Sequence, residues 1–337
     1  MAQTVGTETT SQRARRIARR LSRNENAVLA AILAAIIAMM AGLSKGFTVT
    51  PGNISNIWLQ SSIRGIASVG QLFVILTGGI DIAVGGTALL TAVLGASFMT
   101  EELSRNIIGS PIGLAAGLGA MLAIGLGVGF VNGLLVSRVG VPALIVTLGM
   151  WQITKGGAFI VCRGAAIYKL PEGLEFFGSG EVAGVPVPTI IFIAVAVVAF
   201  FVLNHTSYGR SVYATGGNSV SAWLSGIKVN NIYLSVFTIS GFLAALASIV
   251  YIGRAASASY ATAAGLELDS ITAVFLGGTS ILGGRGSLIG AVIGVMILGV
   301  INNGMNVLTV DPSFQGLIKG VILIAAVAID MQRRRRG

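Results

Sequence analysis

The chain has 337 residues, of which 54% are hydrophobic and 10% are charged, and its mean hydropathy is +0.87. Soluble domains carry about 25% charged residues, so the composition excludes a soluble protein and predicts a polytopic helical membrane protein. The formal net charge of +10 comes largely from two basic tails, which in a membrane protein indicate orientation and contact with anionic lipid head groups rather than nucleic-acid binding.

The predicted elements are a basic N-terminal tail over 1–26, a transmembrane domain over 27–330 and a basic C-terminal tail over 331–337. A membrane-crossing helix needs about 20 apolar residues. Such stretches are found at 27–44, 57–77, 82–100, 111–136, 142–162, 188–204, 232–252, 269–283, 286–308 and 314–330, and the eighth is short. The first is longer than the apolar core of a signal peptide and no convincing A-x-A cleavage site follows, which predicts a retained helix.

The basic residues predict how these ten spans are oriented. An even number of spans puts both termini on one side, and fourteen lysines and arginines then share that side against five on the other. Because cytoplasmic loops carry the basic excess, both termini are predicted to be cytoplasmic. The loop 205–231 is then cytoplasmic and the loop 163–187 faces outward.

Between the second and third spans, an aspartate interrupts the apolar sequence in the stretch G-G-I-D-I-A-V-G at 78–85. A carboxylate at this depth is costly, so it usually faces a polar pathway, a partner or a membrane boundary. Gly78, Gly79 and Asp81 are therefore candidates for a translocation pathway. Buried Lys155 or Lys319 could neutralise Asp81, although the sequence gives no spatial pairing.

A weak internal repeat appears when residues 78–79 are aligned with residues 277–278, because Ile, Gly, Leu and Ala then recur at the same offset. Gly-interrupted segments in corresponding halves point to broken helices at a transport pathway; a chance match among 47 glycines is the alternative. The repeat adds Gly277, Gly278, Gly283 and Gly284 to the candidate pathway residues. Elsewhere, the glycines at 125, 129 and 133 and at 286, 290 and 294 predict close helix contacts.

A short helix with recognisable ends is predicted in the loop before the seventh span. Asn218 is a good N-cap, residues 219–225 can form about two turns, and Gly226 suits the left-handed residue that ends a helix. So few residues cannot hold a helix alone. The helix therefore needs a surface to pack on, and a partner protein or an ordinary structured loop are the two interpretations.

Four ordered segments resemble the ribose-type permeases, the membrane subunits of bacterial ABC sugar importers: G-G-I-D at 78–81, I-V-T-L-G at 145–149, Y-A-T-G-G-N at 213–218 with the residues up to 227, and the block 265–287. The resemblance runs from about residue 54 to 330. It implies a homodimeric permease in the bacterial inner membrane that imports a sugar or sugar-like solute. Its implied partners are a cytoplasmic ATPase and a periplasmic solute-binding protein. By the same resemblance, the element that docks into the ATPase comprises Gly216, Gly217, Asn218, Ala222, Leu224, Ser225 and Gly226.

No catalytic residue, metal site or cofactor is predicted for this chain. It has no G-x-x-x-x-G-K-[ST] loop, so any ATP must be bound by the partner ATPase. The G-x-S-x-G match at 42–46 lacks the strand that a nucleophile elbow requires, and the only histidine, His205, lies where the sixth span ends. The single cysteine, Cys162, excludes a multi-cysteine metal site.

Some interpretations stay open at this point. Glu267 and Asp269, at the outer edge of the eighth span, could contact a substrate or the delivering protein, or could simply be favoured by the helix dipole. Within ABC importers, a permease for branched-chain amino acids or nucleosides is the alternative function. An ion-coupled secondary transporter is the alternative of another class, because it too would use broken helices and buried charges.

Overall fold

The computed structural model describes residues 25–100 and 112–336, so almost all of the N-terminal tail lies outside the described residues. Thirteen α-helices account for most of the described chain, together with a 3-10 turn at Phe47–Val49, a π-turn at Leu135–Val139 and a two-strand hairpin. The helices are α1 (Glu25–Leu43), α2 (Pro51–Leu76), α3 (Ala83–Met99), α4 (Leu114–Leu134), α5 (Ala143–Cys162), α6 (Leu174–Ser179), α7 (Val187–His205), α8 (Ser207–Gly217), α9 (Ser219–Leu224), α10 (Val229–Ala255), α11 (Leu266–Leu276), α12 (Leu288–Val307) and α13 (Pro312–Arg336). Strands β1 (Glu181–Val182) and β2 (Val185–Pro186) pair antiparallel.

Over the described residues, eight helices are long and apolar enough to cross a membrane: α1, α2, α4 with its π-turn, α5, α7, α10, α12 and α13. They coincide with eight of the ten predicted spans. The prediction of an all-α polytopic membrane protein is confirmed at this level.

The other two predicted spans correspond to shorter helices. The stretch 82–100 forms the 17-residue α3, but within 269–283 only α11 is helical, and its 11 residues end at Leu276. At 1.5 Å per residue α11 is about 16 Å long, half of the roughly 30 Å hydrocarbon core. A full span at 269–283 is therefore a prediction that the structure does not support, because the glycines from 277 onward turn the chain out of the helix.

Helix α10 is the centre of the fold and packs on α2 and α4. Its contact with α4 is backbone to backbone: a methyl group on Gly125 would lie 2.5 Å from the Gly241 carbonyl oxygen, and one on Gly133 would lie 2.7 Å from that of Leu234. The glycines on one side of α12 lie against α11 and the residue after it. A methyl on Gly290 would collide with the Gly277 carbonyl oxygen, and one on Gly294 would collide with that of Ala273. The close helix contacts predicted from these glycine spacings are confirmed except at Gly286, which precedes α12 and lies against the Thr279 side chain.

Candidate functional site

The two Gly-rich breaks predicted from the internal repeat lie against each other. The Gly284 amide donates a hydrogen bond of 2.9 Å to the Leu76 carbonyl oxygen, which is left free at the end of α2. A methyl on Gly283 would lie 2.6 Å from the Gly78 nitrogen, and one on Gly78 would lie 3.2 Å from the Leu282 carbonyl oxygen. We call this contact between residues 76–79 and 282–284 the glycine junction.

Glycine is required in the junction for two reasons. Gly78 and Gly283 both have φ of 82–83°, a left-handed conformation that costs glycine little and other residues more. In addition, a side chain on Gly283 would collide with the backbone of Gly78, and one on Gly78 would lie tightly against the Leu282 carbonyl oxygen. The breaks are thus two turns that have to be glycine in order to pack on each other.

The start of the predicted ATPase-coupling segment reaches the same place. Helix α8 ends at Gly217, and a methyl on Gly216 would collide with the Leu76 carbonyl oxygen and lie 2.6 Å from the Gly284 nitrogen. On the preceding turn of α8, the Tyr213 hydroxyl donates to the Gly286 carbonyl oxygen at 3.1 Å. The coupling segment therefore contacts both breaks directly.

The remaining segment of the family resemblance, residues 145–149, also contacts this region. The Thr147 hydroxyl on α5 donates to the Ile80 carbonyl oxygen at 3.2 Å, and Thr147 is fully buried. All four segments of the resemblance thus have residues at the junction or beside it. In the predicted orientation the junction lies near the cytoplasmic side, where α2 ends and α3 and α12 begin.

Asp81 follows the first break and is buried, with 2% of its surface exposed. Its Oδ2 accepts from the Ser240 hydroxyl on α10 at 2.7 Å, and its Oδ1 accepts from the Ala83 amide at the start of α3 at 3.0 Å. The side-chain amide of Gln71, in the orientation that satisfies it, bonds the Asp81 backbone oxygen and nitrogen at 3.0 and 3.1 Å. Asp81 therefore fixes the first break to α10 and starts α3.

Neither lysine proposed as a counter-ion pairs with Asp81. The Lys319 ammonium lies 3.0 Å from the Asp269 Oδ1, and that of Lys155 lies over the Trp151 ring, 4.2 Å from its centroid. Within residues 25–100 and 112–336 Asp81 makes no ion pair. Its charge is compensated by hydrogen-bond donors instead.

Asp81→Asn is expected to leave the protein in the membrane at normal abundance and to impair uptake. The amide oxygen can still accept from Ala83 and the amide nitrogen can point to Ser240, so the fold keeps its contacts, whereas a charge at membrane depth generally serves function. Asp81→Ala leaves the buried Ala83 N–H without an acceptor, at a cost of about 1–3 kcal/mol. Membrane abundance and uptake are measured side by side; wild-type uptake by the Asn variant would show that the charge is dispensable.

The capped helix predicted in the cytoplasmic loop is confirmed as α9. The Asn218 Oδ1 accepts from the Ser221 amide at 2.9 Å, and Gly226 follows the helix with φ of 85°. The helix ends at Leu224, one residue before the predicted end. The N-cap residue and the terminating glycine predicted from the sequence are therefore those of the helix in the structure.

The exposed face of α9 differs from the one that the sequence suggested. Ala222 is 4% exposed and packs inside the chain, whereas Val220, Trp223 and Leu224 are 65%, 66% and 73% exposed. These three lie at positions i, i+3 and i+4, which share one side of a helix. Val220 and Trp223 are not among the predicted docking residues, although this spacing could have identified them. We call Val220, Trp223 and Leu224 the apolar face of α9.

The acidic residues at the start of α11 have different surroundings. Asp269 accepts from the Arg64 Nε at 2.8 Å and from the Lys319 ammonium at 3.0 Å. Glu267 lies against α3, where a methyl on Gly85 would collide with its carboxylate. Both are in the first turn of α11, where the helix dipole favours acidic residues, and Asp269 has in addition two basic partners that the sequence could not indicate.

The chain matches one family model over residues 53–327, described as "Branched-chain amino acid transport system / permease component". Among curated relatives, the ribose import permease protein RbsC of Escherichia coli (strain K12) is 38% identical over 292 residues, 86% of this chain and 88% of the relative. The D-allose transport system permease protein AlsC of the same organism is 37% identical, covering 86% of each chain. The fructose import permease protein FrcC of Rhizobium meliloti is 37% identical over 82% of this chain and 77% of the relative. No solved structure gives a significant match.

Proposed function

The chain belongs to the branched-chain amino acid transport system / permease component family, and we propose that it is the transmembrane subunit of an ATP-driven ABC importer for a monosaccharide or sugar-like solute. The relatives whose names specify ribose, allose and fructose support sugars over branched-chain amino acids or nucleosides. The chain itself contributes the pathway and no ATP-binding loop.

The observation that carries this proposal is the contact of Gly216 with both breaks. An ATPase that holds α9 would move α8 with it, since Asn218 alone separates the two helices. Movement of α8 would act on Leu76 and Gly284 without any intermediate side chain. In this mechanism ATP binding and hydrolysis on the partner change the packing of the two pathway turns, and access alternates between the two sides of the membrane.

The apolar face of α9 is the proposed ATPase contact. Its three large apolar side chains are about two-thirds exposed and lie on a loop outside the membrane. Their contact with water is unfavourable, and a partner protein that covers them would remove this cost. The periplasmic solute-binding protein would meet the opposite side of the membrane. A homodimer in the bacterial inner membrane completes the proposal, as the family resemblance implies.

The proposed orientation has both termini in the cytoplasm. The eighth of the ten predicted crossings is made by α11 together with the turns that follow it, which reach the end of α2. Fourteen basic residues then lie on the side of the termini against five on the other, and cytoplasmic loops carry the basic excess. Reporter fusions at the N-terminus, near Ser219 and after Arg336 should therefore all report cytoplasm. A fusion near Glu172 should report the periplasm. One extracytoplasmic result among the first three would contradict the arrangement.

An ion-coupled secondary transporter is the second candidate function, and buried Asp81 beside two broken helices is the observation that favours it. A secondary transporter does not require a helix outside the membrane that binds a partner protein. Reconstitution into liposomes with the ATPase and the binding protein, energised by ATP or by an ion gradient in turn, separates the two functions.

A further inference from the structure

A cavity of about 450 Å³ opens between α2, α10, α11 and α13, and none of its lining residues belongs to the glycine junction. Small-molecule sites typically have volumes of about 300–1,000 Å³, so the cavity has room for a monosaccharide. Its polar lining consists of Gln60, Arg64, Tyr251, Arg254, Asp269 and Lys319. In the proposed orientation it lies toward the outer side, because Arg254 is next to the outer end of α10 and Lys319 lies in the second turn of α13.

The charges in this cavity are unequal. Three of the lining side chains are basic and one, Asp269, is acidic. The Asp269 carboxylate is already shared between Arg64, at 2.8 Å, and Lys319, at 3.0 Å. Arg254 reaches only an amide oxygen, the Asn56 Oδ1 at 3.3 Å, and makes no ion pair within the described part of the chain. The cavity therefore has more positive than negative charge.

One hydrogen-bond donor of the lining residue Arg64 is also unused. The Arg64 Nη1 is buried and has no partner, although the Nε of the same guanidinium bonds Asp269. A buried donor without an acceptor is costly, and a cationic donor more so. A solute oxygen that carries negative charge would compensate the Arg64 guanidinium better than a neutral oxygen, since a charge-assisted hydrogen bond is about twice as strong as a neutral one.

We propose that this cavity is a solute-binding site within the permease and that it favours a monosaccharide with an anionic group, a carboxylate or a phosphate, over the neutral sugar with the same ring. The proposal rests on the proposed function and specifies its substrate class. The anionic group would bind to Arg64 and Arg254, whose guanidinium groups match two-oxygen acceptors. The sugar hydroxyls would bind to the Gln60 amide and the Tyr251 hydroxyl.

The experiment is a titration of the purified full chain in lipid nanodiscs, without the ATPase, with two matched sets of sugars. One set is D-galactose, D-galacturonate and D-galactose 6-phosphate, and the other is the corresponding D-glucose series. At least one anionic sugar should bind about tenfold more tightly than the neutral sugar of its set. If only the uronate is preferred, the anionic group that the site recognises is a carboxylate. If only the 6-phosphate is preferred, that group is a phosphate.

Arg254→Gln should remove most of this preference, because it deletes the cation that has no acidic partner. Lys155→Gln is the matched control, since it removes an equal charge outside the cavity, and it should keep the preference. Equal affinity for neutral and anionic sugars in both sets, an unchanged preference in Arg254→Gln, or no measurable binding to the wild-type chain would each overturn the proposal.

The failure of this site and the failure of the proposed function give different results. Because the titration contains no ATPase, it does not depend on α9. ATP-driven uptake together with equal affinities for neutral and anionic sugars would support the proposed function and contradict the proposed site. Selective binding of an anionic sugar without ATP-driven uptake would support the site and contradict the function.

Discussion

Gly216→Ala is expected to destabilise the protein severely and abolish uptake, while Gly217→Ala, one residue further on, stays close to wild type. The added methyl at 216 collides with the Leu76 carbonyl oxygen and lies 2.6 Å from the Gly284 nitrogen, whereas a methyl at 217 has nothing within 4 Å. Backbone atoms cannot rotate away as side chains do, so the cost should reach or exceed the roughly 1–3 kcal/mol of an overpacked core.

Thermal unfolding in detergent and uptake in cells are the two measurements for this pair. Because both variants replace a glycine of α8 with alanine, the effect on helix propensity is shared, and the difference between them reports the junction alone. Equal unfolding temperatures for the two variants would mean that the contact of α8 with the two breaks is absent from the working protein.

Leu224→Arg is expected to abolish co-purification of the ATPase and ATP-driven uptake with little loss of folded permease. The Leu224 side chain is 73% exposed in the chain alone, so arginine is tolerated there until a partner buries it. An unpaired charge in a packed contact costs several kcal/mol, which corresponds to a loss of affinity of at least about 100-fold.

Further variants of α9 test which side of the helix binds. Trp223→Ala should cost at least about 2 kcal/mol if this aromatic residue anchors the contact, and Asn218→Ala about 1 kcal/mol through the lost cap. Ser225→Arg separates the apolar face from the rest of the predicted docking element, because it adds the same charge just past the end of α9, on the side away from Trp223; we expect it to keep ATPase binding. If Leu224→Arg binds the ATPase as strongly as the wild type does, the apolar face of α9 is not the docking surface.

Much of the fold could be predicted from the sequence because it depends on local composition. Eight of the ten predicted spans are long helices, and the capped helix begins and ends close to the residues expected. Asn218 and Gly226 act on their own neighbours, so their roles follow from adjacent residues. The short α11 was mispredicted because apolar content was counted across Gly277 and Gly278, which break the helix despite being compatible with an apolar stretch.

The rest of the site depends on contacts between residues far apart in the chain. Leu76, Gly216 and Gly284 meet in the junction, yet no periodicity connects them. Arg64 and Asp269 are 205 positions apart, and their ion pair gives no signal in either segment. The burial of Ala222 has the same origin, since it depends on how α9 packs on the rest of the chain.

The same limit explains the mistaken counter-ions for Asp81. From the sequence, Lys155 and Lys319 were simply buried cations without partners. In the structure an aromatic ring and Asp269 satisfy them, and Asp81 relies on Ser240 and Ala83. Neutral donors from hydroxyl and amide groups are too common in the sequence to be chosen in advance.

The measurement that tests the account most directly is uptake of a labelled sugar into liposomes containing the permease, its ATPase and the solute-binding protein that binds this sugar. We expect accumulation only when ATP, the ATPase and the binding protein are all present, with no effect of ionophores that dissipate proton and sodium gradients. Accumulation driven by an ion gradient in liposomes that contain the permease alone would contradict the assignment as an ABC importer subunit.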